Sequence, residues 1–501
     1  MLFFLGLAGL LRAVPLVAVL LVFARWAWPT RFSVWPLVLI PALLLALYPP
    51  IAFDETLYHL PYVHEFAKAG ALVYAPEVRF PVFPVLQELL CVPAFLLGGD
   101  VATHLVSLLE VFLTAAILIE WAGHYDPRAG RLAMAILLGS PLVIFLASVL
   151  YVDAALMLFV TAGFYALDRE RYWEAGLFFG TACGVKYHGG YFAIVALILV
   201  ARRGLPAIGR FCATCAAAAL PMTAWIYANT GDPVFPFLHA NQWTPPPMPA
   251  MSITERAVRI IRVSWDATFV RSRTNFQAPV TPFLIICVVL ILIAAWKNVQ
   301  ARIVALLSLG YLVIFTFLPQ DSRYLVPLLP LVSITAAVII AKRWPKAVTV
   351  IAIIAIAPGM AYAGYCMIRF GVPDAHFLEN RVPEYRALQR AGKSRVYVCG
   401  AEYLKSYAAG ELVGDVIGPY SFERVLGSAD TTSAIARRLQ PLHVEYFLVA
   451  KRFCKPPRRD GDMELVYEDG AAQLWRLTPI AGARDGERRR SADTPLQPRS
   501  R

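Results

Sequence analysis

Charge is scarce in this chain. Of its 501 residues only 16% are Asp, Glu, Lys or Arg, whereas 58% are hydrophobic and the mean hydropathy is +0.59. A soluble globular enzyme needs a solvated polar surface around its core, and this composition cannot furnish one. Acid is scarcer than base, 34 residues against 46, for a net charge of +12. A basic excess points to nucleic acid when it gathers on one face. Here the bases fall mostly in short joins between apolar runs, so they report topology and no nucleic-acid partner is expected.

Cysteine is also sparse, at eight residues. Only Cys212 and Cys215 have a C-x-x-C spacing, and that pair lies inside an apolar run with no second pair to complete a zinc or redox site. Cys91, Cys183, Cys287 and Cys366 likewise sit in or beside apolar runs, as small hydrophobic residues. Cys399 and Cys454 fall in a more polar region, where one disulfide is open to them. Walker loop, Rossmann fingerprint and G-x-S-x-G elbow are all missing. The N-terminus has no basic n-region or cleavage site, so its apolar run is expected to be a retained span.

What the chain does have is repeated apolar runs of about 17–25 residues, the mark of an all-α polytopic membrane protein. Spans are expected near 2–24, 33–50, 101–121, 131–150, 153–167, 172–188, 190–201, 207–228, 281–296, 302–318, 323–341 and 346–364, about twelve in all. Residues 82–98 are apolar enough to cross, but a crossing there would reverse every loop downstream. With 82–98 interfacial, the basic loops (Arg25 and Arg31; Arg128 and Arg131; Arg169 and Arg171; Arg202, Arg203 and Arg210; Lys297 and Arg302; Lys342, Arg343 and Lys346) all face the cytoplasm. Prolines 61, 76, 81 and 84 cut residues 51–100 into short interfacial helices in the first outer loop. The loop 229–280 breaks the charge rule. Ser252-Ile253-Thr254-Glu255 reads as a capping box opening an amphipathic helix with Arg256, Arg259 and Arg262 in a stripe, and Arg271 and Arg273 follow. That stripe suits lipid headgroups or an anionic substrate. Residues 1–371 are thus expected to form the membrane domain. Residues 372–478, which alternate helical and strand-like segments, read as a small extracytoplasmic α/β domain. Residues 479–501 read as a disordered basic tail.

Charges at outer helix ends are the informative ones, since topology does not explain them. Asp54 and Glu55 follow an apolar run and precede Tyr58 and His59. Ionisable groups at a membrane edge are costly and point to function, although Asp54 also suits a helix N-cap. Asp153 opens a span and has the same two readings. Lys186, beside Tyr187, and Arg323 sit at outer ends, and Arg79 lies in the first outer loop. Together they would ring one cavity, with charge-assisted donors for a lipid phosphate and a carboxylate to take a hydroxyl proton. Gly176, Gly180 and Gly184 recur every fourth residue, as small residues that let two helices approach closely.

In order along residues 50–330, these elements resemble the GT-C superfamily of membrane glycosyltransferases, in the bacterial branch related to protein O-mannosyltransferases and lipid A aminoarabinose transferases. The resemblance is carried by Asp54-Glu55 with Tyr58-His59-Leu60-Pro61, by Asp153, by Gly184-Val185-Lys186-Tyr187, by Gly231-Asp232-Pro233-Val234-Phe235-Pro236 and by Arg323-Tyr324-Leu325-Val326-Pro327. It implies inverting transfer of a sugar from a polyprenyl-phosphate donor to a hydroxyl of a glycan, lipid or protein acceptor, at the outer face of a bacterial inner membrane. Asp54 would be the general base, with Glu55 and Asp153 supporting the site. Lys186 and Arg323 would hold the donor phosphate, and Tyr58, His59, Arg79 and Tyr187 would line the substrate site. Val152 stands where the family often has Asn, and the family leaves a divalent metal open. A transporter or flippase of a lipid-linked anion, or a relative that only binds glycan, are the competing readings.

Overall fold

The computed structural model describes residues 2–12, 35–247, 250–270 and 278–478. Two compact units make up the chain, one ending at Leu378 and the other starting at Glu379. The first is helical. Among the described residues four of its helices are long and apolar enough to cross a membrane: Leu86–Tyr125, Leu205–Thr230, Ser322–Arg343 and Val348–Phe370. Shorter apolar helices accompany them at Trp35–Ala46, Ala129–Leu138, Gly189–Ala201, Phe283–Ala295 and Val299–Phe315.

Two expected spans are interrupted, each for a local reason, and a third break falls where the sequence ends one segment at 98 and starts the next at 101. The run 2–24 is helical only over Leu2–Leu7 in its described part. Gly9 then takes φ +69, and the Leu11 amide donates to the Gly70 carbonyl at 2.9 Å, which turns the chain onto the loop after helix Leu60–Ala69. The remainder of that run, with Arg25 and Arg31, lies outside the described residues. The run 131–150 divides into Ala129–Leu138 and Pro141–Leu146, because Pro141 has no amide to continue the ladder and starts a new helix at its first position. The segment Leu86–Tyr125 is two helical arms. Gly98 and Gly99 leave helical φ/ψ, with Gly99 at φ +70, and the first arm folds back beside the second. Gln87 accordingly donates to Glu110 at 3.1 Å. Residues 86–97 therefore line the arm that follows instead of extending it.

Close helix approach depends on glycine where the sequence places it. A Cβ on Gly176 would collide with the Phe211 carbonyl, and one on Gly180 with the Cys215 carbonyl, so helices Tyr172–Val185 and Leu205–Thr230 meet backbone to backbone. Helix Ile253–Phe269 opens with the expected capping box at Ser252 and Glu255. Its Arg256 donates to the Thr316 carbonyl at 2.8 Å and covers the Phe317 ring, while Ile261 and Trp265 are exposed. Arg271 and Arg273 lie outside the described residues.

The second unit carries a five-stranded sheet in the order β2-β1-β3-β5-β4. Strands β1 (Val396–Cys399), β2 (Leu412–Val413) and β3 (Tyr446–Ala450) are parallel, and β4 (Met463–Glu468) and β5 (Ala472–Leu477) are antiparallel. β1 and β3 are buried throughout, as parallel strands covered on both faces must be. A Cys399–Cys454 disulfide joins the end of β1 to the segment after β3. The tail 479–501 lies outside the described residues.

The glycine contacts yield a paired test. Gly180→Ala is expected to destabilise by about 1–3 kcal/mol through overpacking. Gly209→Ala meets nothing within 4 Å and removes a helix glycine, so it should be neutral or stabilising by about 0.5–1 kcal/mol. Thermal unfolding in detergent reads both, and a matched response at the two positions would contradict the close crossing.

Candidate functional site

Asp54 follows helix Trp35–Ala46 and precedes a single π-type turn, Glu55–His59, in which the Leu60 amide reaches back to the Glu55 carbonyl. Such one-residue widenings often mark functional positions, since they rotate neighbouring side chains out of helical register. Asp54 does not cap that turn: it has helical dihedrals and no side-chain bond to a free amide. Its carboxylate instead faces a cluster of polar groups. Tyr58, one turn on, donates its hydroxyl to Oδ2 at 3.2 Å, and Nη1 of Arg323 lies 2.5 Å from the same oxygen. The Asp54 amide donates to the Tyr151 hydroxyl at 3.1 Å.

Arg323 is held from several sides. It lies on the 3-10 turn Ser322–Leu328, which Asp321 caps by accepting the Arg323 amide at 3.0 Å. Oδ2 of Asp321 is 3.2 Å from Nε of Arg323, within ion-pair distance. The guanidinium also lies 5.1 Å from the centre of the Tyr151 ring and 5.4 Å from that of Tyr324.

A second pair adjoins the first. Asp153 occupies the first turn of helix Asp153–Asp168 without capping it, and its Oδ1 accepts from Nζ of Lys186 at 2.8 Å. Lys186 ends helix Tyr172–Val185 in an extended conformation that turns its ammonium back to the Tyr324 ring, 4.3 Å away. Tyr324 thus lies against both cations. Oδ2 of Asp153, Oγ of Ser322, Oε1 of Gln320 and Nδ1 of His188 are buried and have no hydrogen-bond partner among the described residues. Unpaired polar atoms at this density are uncommon inside a fold and mark a place suited to a polar ligand.

Charge balance sets the state of Asp54. Burial pushes its carboxyl up, but Arg323, His59 and Arg79 outweigh that effect and hold it below the ordinary carboxylate range. Asp54 is therefore an ionised acceptor at neutral pH. Asp321 is shifted the other way: burial raises it more than Arg323 lowers it.

The structure thus brings Asp54, Tyr58, Asp153, Lys186 and Arg323 to one end of the helical unit, with half-buried Arg79 in electrostatic reach of Asp54. Glu55 and His59 are placed differently. Glu55 is fully buried and faces His104, 2.6 Å away, while Nδ1 of His59 is 2.6 Å from Glu88. The Tyr187 hydroxyl donates to the Phe235 carbonyl at 2.8 Å, tying two of the sequence motifs together instead of lining the Asp54 cluster. Asp232 organises that second motif by accepting the Val234 and Leu238 amides. Sequence reasoning missed Tyr151, Asp321, Tyr324, Glu88 and His104. Of these, Asp321 carried a readable signal as an acid two residues from an outer arginine, and Tyr324 as a member of the Arg323–Pro327 motif. Among the described residues no group of three or more His, Cys, Asp or Glu side chains is arranged to hold a metal ion.

The Asp153–Lys186 pair carries a stability test, because their side chains are 1% and 13% exposed. Lys186→Ala strands a buried carboxylate and is expected to cost about 3–5 kcal/mol. Adding Asp153→Asn removes the stranded charge and should recover most of that loss in thermal unfolding. Equal instability of single and double variants would show that the pair is not the source.

No curated protein matches the sequence. A family model that bears no functional description matches residues 374–476. Among solved structures, the crystal structure of ArnT from Cupriavidus metallidurans in the apo state is similar with a TM-score of 0.56 at 14% identity, covering 92% of this chain and 98% of that one. The same protein bound to undecaprenyl phosphate is similar with a TM-score of 0.56 at 13% identity, covering 93% and 99%. Over nearly the whole of both chains, this protein therefore shares the fold of ArnT.

Proposed function

We propose that this chain is a membrane glycosyltransferase that moves a sugar from a polyprenyl-phosphate donor to an acceptor hydroxyl. One observation carries the reading. On a fold shared with a protein crystallised with undecaprenyl phosphate, a partly buried arginine and a partly buried lysine meet two carboxylates at one end of the helical unit. A lipid phosphate brings two or more anionic oxygens to such a place, and Arg323 and Lys186 are the residue types that bind them with charge-assisted bonds. The basic residues of the short loops, among them Arg169, Arg171, Arg202 and Arg203, lie at the opposite ends of the helices that start or end at Asp153 and Lys186. With the positive-inside rule this supports a site at the outer face, and the Cys399–Cys454 disulfide supports an extracytoplasmic second unit.

Chemistry follows from the charges. The acceptor oxygen attacks the anomeric carbon from the side opposite the phosphate, and the bond from that carbon to the phosphate oxygen breaks. Configuration inverts, and the electron pair leaves with the phosphate. Arg323 and Lys186 stabilise the charge that grows on the leaving oxygens. Asp54 takes the acceptor proton. A carboxylate paired with arginine is a weak base. Donor phosphate that draws Arg323 toward itself loosens that pair, so donor binding raises the basicity of Asp54 where the acceptor arrives. Asp153 holds Lys186, and Tyr324 gives both cations a common aromatic wall. Flipping of a lipid-linked anion is less well served, because these charges sit at one end of the helices and not at mid-span.

Transfer from a labelled polyprenyl-phosphate sugar by purified protein in nanodiscs tests the reading. Asp54→Asn should reduce turnover by about 10²–10⁴-fold, the range of general acid–base catalysis, with thermal stability near wild type. Wild-type turnover in that variant would remove Asp54 as the base. The pH profile supplies a second test. Arg323 lowers the Asp54 pKa in the free enzyme, so wild-type kcat/KM should fall only in acid below the ordinary carboxylate range. Arg323→Gln leaves burial less opposed and should move that acid limb to higher pH. A limb unmoved, or moved down, would contradict the pairing.

A further inference from the structure

Glu55 is the junction of three chain segments. Its Oε1 accepts the Leu150 amide at 2.7 Å and faces Nε2 of His104 at 2.6 Å, and its Oε2 accepts the Ala52 amide at 3.2 Å. The other ring nitrogen of His104, Nδ1, lies 2.9 Å from the Ala46 carbonyl. A carbonyl oxygen only accepts, so Nδ1 carries a hydrogen. A neutral imidazole would then turn a lone pair at Nε2 toward an ionised carboxylate, an arrangement that repels. One more proton must lie between Nε2 and Oε1. The pair is net neutral whichever atom holds that proton, which suits side chains only 2% and 0% exposed.

We propose that His104 is a positioning residue for Asp54, acting through this shared proton and Glu55; the proposal rests on the function proposed above. From one helix His104 grips the end of helix Trp35–Ala46 through Ala46. Through Glu55 it grips the turn that carries Asp54 and the turn that carries Leu150, Tyr151 and Asp153. Tyr151 then receives the Asp54 amide and lies against Arg323. The register of Asp54 to Arg323 therefore depends on a residue that touches neither. Removing the strut lets the Asp54 turn shift against the Arg323 turn. A displacement near one ångström of a reacting group costs on the order of 10²-fold in rate.

Two readouts test this, one of them independent of sugar transfer. His104→Phe keeps the ring volume and loses both bonds, and His104→Gln keeps one donor for Glu55. In the transfer assay His104→Phe should lower kcat on the order of 10²-fold with donor KM within about twofold, and His104→Gln should recover part of the loss. In an Asp54→Asn background His104→Phe should cost nothing further, because its effect passes through Asp54. The second readout is labelling of Asp54 by a water-soluble carbodiimide, followed by mass spectrometry. Arg323 shields the wild-type carboxylate, and His104→Phe should speed its labelling several-fold. If His104→Phe does not fold, His104→Gln decides by the same two measurements. Unchanged kcat and labelling in His104→Gln, or an equal loss for His104→Phe with and without Asp54, would overturn the proposal. A wild-type protein that transfers no sugar would instead overturn the functional reading, and labelling alone would then decide the strut.

Discussion

Charge taken out of water must be paired, and much of the arrangement at one end of the helical unit follows from that requirement. Asp54 and Arg323 are 15% and 14% exposed, and Asp153 and Lys186 less than that on the acidic side. Left alone, any of the four would lose several kcal/mol of solvation. The partners come from four separate places in the chain, so pairing fixes the ends of four helical segments against each other. Pairing of this kind sets the helix ends before a ligand arrives and confines reorganisation on binding to side chains such as Arg323.

Behind these pairs lies a second layer of buried acids and imidazoles, Glu55 with His104 and His59 with Glu88. The π-type turn at Glu55–His59 divides the two layers. Asp54 and Tyr58 face the cations, while Glu55 and His59 face the protein interior. Two adjacent acids are therefore placed differently, because one faces a cation and the other is bound by two backbone amides and a ring nitrogen.

Much of this was legible in the sequence. Asp54, Asp153, Lys186 and Arg323 stood out because the charge rule explains basic residues at one set of helix ends and leaves these unexplained at the other. The capping box at Ser252 and Glu255 and the glycine repeat at Gly176 and Gly180 were also readable, because both are local patterns. What escaped was long-range. His104 sits near the start of a helical arm in an apolar run, and nothing near it in sequence names Glu55 as its partner. The partner of the Tyr187 hydroxyl, the Phe235 carbonyl 48 residues on, was equally out of reach. Span boundaries failed at Gly9 and at Pro141, where one or two residues turn the backbone inside stretches whose average hydropathy stays high.

The central claim is that Arg323 and Lys186 are placed to hold a lipid phosphate. Its most direct test is the binding of undecaprenyl phosphate and of uncharged undecaprenol to the purified protein in nanodiscs. The two lipids share a tail and differ only in the phosphate. The account predicts that the phosphate form binds about tenfold or more tightly, as expected for at least one charge-assisted bond. It also predicts that this preference disappears in Arg323→Gln. Equal affinity for the two lipids would mean that the tail alone is recognised, and the account would be wrong.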